Sequence, residues 1–368
     1  MPIASPTSDL PRPPEVSQPA LDAAFAADIA ACRGLLRHGS RSFFAASLLL
    51  PRSLRDPASA LYAFCRLADD AVDLEGGPAD AVADLRERLA CAYAGTPRAL
   101  PADRALAVVV ARFDVPRALP EGLIEGFEWD ARGRRYETLA ELHDYAARVA
   151  GTVGAMMAVL MGARSPEAVA RACDLGVAMQ LSNIARDVGE DARMGRLYLP
   201  RQWLREAGID PDAWLARPCY TPELGAVVRR LLEAAEWLYR RVDAGVALLP
   251  LSCRPGINAA RFLYRDIGLE VARRGLDSVT ARATVAPSRK AWLLLQALLR
   301  LWPARAATPL APLAATRHLV EAVAPAAARV APVGGLEARA VWLIDLFERL
   351  ERREQLQYGP SSCGTAPP

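Results

Sequence analysis

From about Ala20 onward, apolar residues recur at three- and four-residue intervals, the spacing that returns side chains to one face of an α-helix. The pattern predicts helices over 20–37, 41–48, 52–74, 79–94, 103–112, 120–130, 138–163, 166–191, 200–206, 222–248, 256–274 and 287–302. Pro116, Pro120, Pro166, Pro200 and Pro255 fall at or beside the breaks. Neither strand alternation nor a fixed-period repeat competes, so the expected class is all-α, with one bundle-like domain over 22–302. Residues 1–20, rich in Pro and Ser, read as a disordered leader. Residues 303–357 read as an extension whose stretch 336–355 resumes an amphipathic pattern, and 358–368 as a disordered tail.

Two of the apolar patterns end in acids. The run Ala60-Leu61-Tyr62-Ala63-Phe64-Cys65-Arg66-Leu67-Ala68 continues into Asp69, Asp70 and Asp73, and Leu175 through Leu181 leads to Asn183, Asp187 and Asp191. At helical spacing each set forms one ladder of oxygen atoms on one face. Acids on solvated helix faces are common, but acids that extend a buried stripe point inward, which is costly without compensation. Hard oxygen ligands with no histidine or thiol suit Mg²⁺, with Mn²⁺ as an alternative, and such sites usually bridge carboxylates to a substrate phosphate. The ladders therefore predict a diphosphate held through divalent ions.

Composition narrows the choice. At 368 residues, 52% hydrophobic and with a net charge of +3, the chain has material for a large core and no basic excess to suggest nucleic acid. Its seven cysteines are scattered and never paired as C-x-x-C, so neither a disulfide framework nor a zinc site is indicated and a reducing cytoplasm fits. The longest apolar runs, 149–163 and 291–302, are too short to span a bilayer. There is no P-loop, dinucleotide fingerprint, H-E-x-x-H or G-x-S-x-G. Lys290 is the single lysine in the sequence, beside Arg289.

Between the ladders lie Ala150, Gly151, Gly154 and Ala155, small residues that leave room for another helix or for an apolar ligand. Arg66 shares the face of the first ladder, and the segment after the second carries Arg196 and Tyr198. Both arginines suit phosphate oxygens.

These segments resemble the squalene/phytoene synthase family over about residues 28–300. Ser40-Arg41-Ser42-Phe43 resembles its S-[KR]-S-F signature, and 62–73 its first acidic motif. Tyr145 through Gly154 is similar to Y-x-x-x-V-A-G-T-V-G, and 176–200 to G-x-x-x-Q-x-x-N-I-x-R-D-x-x-x-D followed by R-x-Y-x-P. The resemblance implies an isoprenoid-synthase helical bundle around a central apolar cavity, in which two prenyl diphosphates are joined head to head. By motif position, Asp69, Asp70, Asp73, Asn183, Asp187 and Asp191 hold Mg²⁺. Ser40, Ser42, Arg66, Arg186, Arg196, Tyr198, Tyr264, Arg282 and Lys290 contact diphosphate. Phe43, Val149, Ala150, Gly151, Gly154 and Gln180 line the prenyl channel, with Tyr145 near the reacting carbons. The expected reaction is condensation of two geranylgeranyl diphosphates to phytoene without NADPH. The alternatives are a squalene or dehydrosqualene synthase using farnesyl diphosphate and, remotely, a non-catalytic scaffold of the same fold. Cytoplasmic location with peripheral membrane contact, and neighbouring isoprenoid-pathway enzymes as partners, complete the expectation.

Overall fold

Helix starts are written into the sequence as side-chain caps. Ser165, Asp210 and Thr221 each accept backbone N–H groups of the first turn, and each is followed by a proline, whose missing N–H is no loss there. In a computed structural model, residues 18–73, 78–301 and 310–329 are described, and among them fifteen α-helices and no strand occur. They are α1 Gln18–Gly39, α2 Arg41–Ser47, α3 Arg52–Asp73, α4 Pro78–Tyr93, α5 Pro101–Arg112, α6 Ala118–Ala131, α7 Leu139–Ala146, α8 Thr152–Leu160, α9 Pro166–Arg193, α10 Arg201–Glu206, α11 Pro211–Ala216, α12 Pro222–Gly245, α13 Arg254–Arg273, α14 Pro287–Leu299 and α15 Arg317–Arg329. The chain divides into two units, Met1–Pro325 and Ala326–Pro368, and the bundle is built within the first of them.

The 28-residue α9 is the axis of the bundle. It is buried over most of its length and packs against α8, α12 and α13, although it carries Arg171, Asp174, Arg186 and Asp187 among its apolar residues. One core cluster gathers α1, α3 to α6, α8 and the start of α9, and a second gathers the rest of α9 with α10, α12 and α13. Glycine permits the closest approach. A Cβ on Gly154 would lie 2.1 Å from the Ala172 carbonyl oxygen, and one on Gly176 would lie 2.2 Å from that of Ala150.

Three elements differ from the sequence reading. The stretch 138–163 is not one α-helix, because a π-helical turn, Ala147–Gly151, separates α7 from α8. The extra residue in that turn rotates the small-residue stripe. Gly151 consequently faces Leu319 and Thr316 and lies outside the lining of the apolar cavity described below, so its expected place among the lining residues is corrected. The helix 211–216 has no counterpart among the predicted helices. The packed unit also runs past residue 302: α15 buries Leu319, Val320 and Val323 in the first core cluster, a stripe hidden within a Pro- and Ala-rich stretch. A buried ionic clasp holds this segment down. Asp174 lies between Arg171 and Arg241, at 3.0 and 2.9 Å, and both arginines donate to the Ala311 carbonyl. The expected leader, the amphipathic stretch 336–355 and the tail 358–368 lie outside the described residues, apart from the start of α1.

Candidate active site

Two cavities meet inside the first unit. A polar one of about 610 Å³ is lined by Asp69 of the first ladder and Asn183 and Asp187 of the second, together with Ser40, Ser42, Arg66, Asp130, Tyr145, Arg186, Arg282 and Lys290. An apolar one of about 270 Å³ runs beside α9, lined by Ala168, Ala172, Leu175, Gly176, Met179, Gln180 and Asn183 of that helix. The apolar wall is completed by Phe43, Val149, Ala150, Gly154, Met157, Met161 and Ile257. Phe43, Tyr62, Val149, Gln180, Asn183 and Tyr264 border both cavities. Their rings form a collar between the two, with the centroid of Phe43 6.1 Å from Tyr62 and 5.3 Å from Tyr264.

Helix geometry explains the lining. Lining positions 168, 172, 176, 180, 183 and 187 on α9 fall at i+3 and i+4 steps, so one helix face changes from alanine and glycine at one end to Asn and Asp at the other. α3 carries the first ladder to the same opening, and α2, capped by Ser40 through the Phe43 N–H, places Ser40, Ser42 and Phe43 on the rim.

The acids are held by arginines. Arg66 donates to Asp70 and lies 3.5 Å from Asp69, whose side chain is 46% exposed. In the second ladder Asp187 is only 15% exposed and sits between two guanidinium groups, with Arg186 Nε at 2.7 Å and Arg282 Nε at 2.8 Å. Arg282 also reaches Glu190 at 3.4 Å. Among the described residues no three acid, histidine or cysteine side chains converge into a finished metal cage. The donor set nevertheless fits a divalent cation. The Oδ1 of Asn183 is buried without a hydrogen-bond partner. Burial, followed by the charge of Asp187, pushes Asp191 up to about 7, so added positive charge would be stabilising there.

Behind the acids stands a cluster that sequence reasoning missed. Asp130 at the end of α6 accepts the hydroxyls of Tyr145 and Tyr198, each at 2.7 Å. The two rings stack at 5.1 Å, with Tyr136 against both. Burial raises Asp130 to about 6 despite the two hydrogen bonds and nearby Arg196. Tyr198 is therefore not placed as a diphosphate contact: it is buried, outside the polar cavity's lining, with its hydroxyl committed to Asp130. Arg196 lies near Asp130 and Asp191, also outside that lining. A signal for Asp130 did exist. It ends the buried stripe Leu119, Leu123, Phe127, the same acid-after-apolar logic that marked the ladders.

Of the remaining expectations, Tyr264 and Lys290 line the polar cavity. Asp70 and Asp191 stand beside it without being lining residues, and Asp73 belongs to the last turn of α3.

An all-helical bundle with acids from two helices at the mouth of an apolar channel defines the isoprenoid-synthase class of fold. The chain belongs to the squalene/phytoene synthase family, whose model matches residues 36–291. It is 54% identical over 307 residues to a phytoene synthase of Rhodobacter capsulatus, covering 81% of this chain and 90% of that one. It is 51% identical over 346 residues to a phytoene synthase of Cereibacter sphaeroides, covering 89% and 95%. Among solved structures, a dehydrosqualene synthase in complex with ligand superimposes with a TM-score of 0.69 at 32% identity, over 75% of this chain and 97% of that one.

Proposed function

We propose that this protein is a prenyltransferase that joins two geranylgeranyl diphosphates head to head, through a cyclopropylcarbinyl diphosphate, to give phytoene and diphosphate. The observation that carries the reading is the junction of a cation-rich, acid-rich cavity with an apolar channel through an aromatic collar. The names of the two bacterial relatives support it.

Channel length supports the twenty-carbon substrate. From Ala168 to Asn183 the lining face of α9 rises about 22 Å at 1.5 Å per residue. An extended geranylgeranyl chain of sixteen in-line carbons spans about 19 Å, given carbon–carbon bonds of about 1.5 Å, and a farnesyl chain only about 14 Å. The longer chain uses the available wall.

Asp69, Asp70, Asp73, Asn183, Asp187 and Asp191 would hold divalent ions, Mg²⁺ in this reading with Mn²⁺ as the alternative. Bound there, such ions neutralise the diphosphate and make it a better leaving group. The chain supplies the rest. Arg66, Arg186, Arg282 and Lys290, with the Ser40 and Ser42 hydroxyls, bind and orient diphosphate oxygens. As the first substrate ionises, its allylic cation lies at the collar, where the faces of Phe43, Tyr62 and Tyr264 stabilise positive charge. The double bond of the second substrate attacks C1, and loss of a C1 proton from the resulting tertiary cation closes the cyclopropane; a second ionisation releases the other diphosphate, and rearrangement with loss of a further proton gives the hydrocarbon. The channel wall excludes water, which would quench the cation. In this reading Tyr145, whose hydroxyl bonds Asp130, steers these steps. No NADPH is consumed, since the final cation loses a proton. Greasy substrate and product favour a cytoplasmic protein in peripheral contact with a membrane, beside enzymes of the same pathway. Among the described residues no helix is long and apolar enough to cross one.

The test is incubation of purified protein with geranylgeranyl or farnesyl diphosphate, with and without Mg²⁺, and identification of the hydrocarbon. A thirty-carbon product from farnesyl diphosphate alone would reassign the substrate, and no diphosphate release from either would refute the reaction.

A further inference from the structure

The outer faces of three separate segments share an unusual composition. On α14, Leu293 and Ala297 pack inward, while Trp292, Leu295, Leu298 and Leu299 are exposed, Leu299 by 72%. Leu48, at the end of α2, and Leu251, in the turn before α13, are exposed by 49% each. These segments are neighbours, because α13 packs against both α2 and α14. Arg254 further ties them together by donating to the carbonyls of Ala247, Leu249 and Leu301. Large exposed apolar side chains scattered singly need no explanation, but a contiguous group does.

Charge indicates what such a face meets. Across 41–52, 246–254 and 287–300 there is no Asp or Glu, whereas Arg52 and Arg300 are exposed there; Arg289 at the start of α14 is paired with Asp266, and Lys290 lines the polar cavity, so neither counts toward this face. Apolar side chains flanked by exposed arginines, in segments that carry no acid, complement an anionic lipid surface, with rings and leucines at the acyl boundary and guanidinium groups among headgroups. The position fits the chemistry inside. Ala46, Ser47, Leu50, Gly256, Ile257 and Ala260, from the inner sides of α2 and α13, line the apolar channel. The exposed face is thus the outside of a channel wall.

We propose that α14, the end of α2 and the turn before α13 form the face by which this protein docks on an anionic phospholipid bilayer, setting the channel wall against the lipid that dissolves its substrate. The proposal deepens the reading of a prenyl substrate, and its test involves no catalysis, so the two can fail separately.

The full chain is floated with vesicles of phosphatidylcholine alone or mixed with phosphatidylglycerol. Binding is expected on the anionic vesicles, weakened by salt. The triple variant W292S/L295S/L299S should bind at least tenfold more weakly, and R52Q and R300Q about fivefold more weakly each, the factor for one cation near an anionic surface. Because Trp292 and Leu295 are about half exposed, single Leu299→Ser guards against a folding defect and should weaken binding measurably. Equal binding to neutral vesicles, no binding of the wild-type chain, or full binding by folded variants would overturn the proposal. So would loss of a dimer in light scattering without loss of vesicle binding, which would assign the face to a second copy.

Discussion

Asp130→Asn removes a charge from behind the candidate active site while keeping a group that can bond both tyrosines. Burial raises the Asp130 carboxyl from an ordinary 3.8 to about 6. A group whose folded pKa is raised contributes stability that is fully present below the unfolded pKa and lost as pH rises through the folded one. With these two values, the wild-type chain should lose about 1.4 kcal/mol between pH 5 and pH 7.5 from this group, out of roughly 3 kcal/mol in all, at about 1.36 kcal/mol per unit. Asp191, raised to about 7 by burial and, in smaller part, by the Asp130 charge, acts in the same direction; its share falls in the variant too, so the difference between the two proteins keeps its sign. Urea unfolding of wild type and Asp130→Asn at the two pH values isolates the contribution. Relative to wild type, the variant should gain stability on going from pH 5 to pH 7.5. Asp130→Ala serves as the contrast: it removes the acceptor shared by the two buried phenol hydroxyls, which keep only each other, and should be destabilised at pH 5 by about 1–3 kcal/mol. Parallel pH profiles for wild type and Asp130→Asn would refute the claim that burial dominates at this carboxylate. Turnover reports separately: if Tyr145 is held for chemistry, Asp130→Ala should cost far more activity than Asp130→Asn.

Other expectations rest on the same geometry. Asp187→Ala should abolish turnover, with the helical circular dichroism retained and the melting temperature little changed; loss of fold would make the acid structural. Gly176→Ala forces a Cβ to 2.2 Å from the Ala150 carbonyl oxygen, so denaturant melts should show a loss of about 1–3 kcal/mol or more. Ala168→Phe fills the far end of the channel and should shift the product from forty toward thirty carbons when both diphosphates are supplied, as read by chromatography. Asp103→Ala leaves Arg88, which is 7% exposed, without its carboxylate at 2.7 Å, and should cost about 3–5 kcal/mol in the same melts.

The parts of the site that lie on one helix were readable from the chain. The second ladder and the channel stripe are both periodic positions on α9, and Arg66 shares a face with Asp69 and Asp70 because three- and four-residue spacing requires it. Groups placed by a change in helical register were not readable. Gly151 sits in the same motif as Gly154, yet the π-helical turn aims one at α15 and the other at α9. Tyr198 reads as a rim residue, but packing against Tyr136 and Tyr145 turns its hydroxyl to Asp130.

By itself, then, the sequence determined the all-helical class, the two acidic ladders and the cationic groups near them, because periodicity and capping act within one segment. Tertiary structure alone decided that α3 and α9 bring Asp69, Asn183 and Asp187 to one cavity, that Asp130 fixes Tyr145, and that 310–325 belongs to the core. Those facts depend on which faces of distant helices meet, and that is settled by complementary packing across the bundle, which no local pattern encodes.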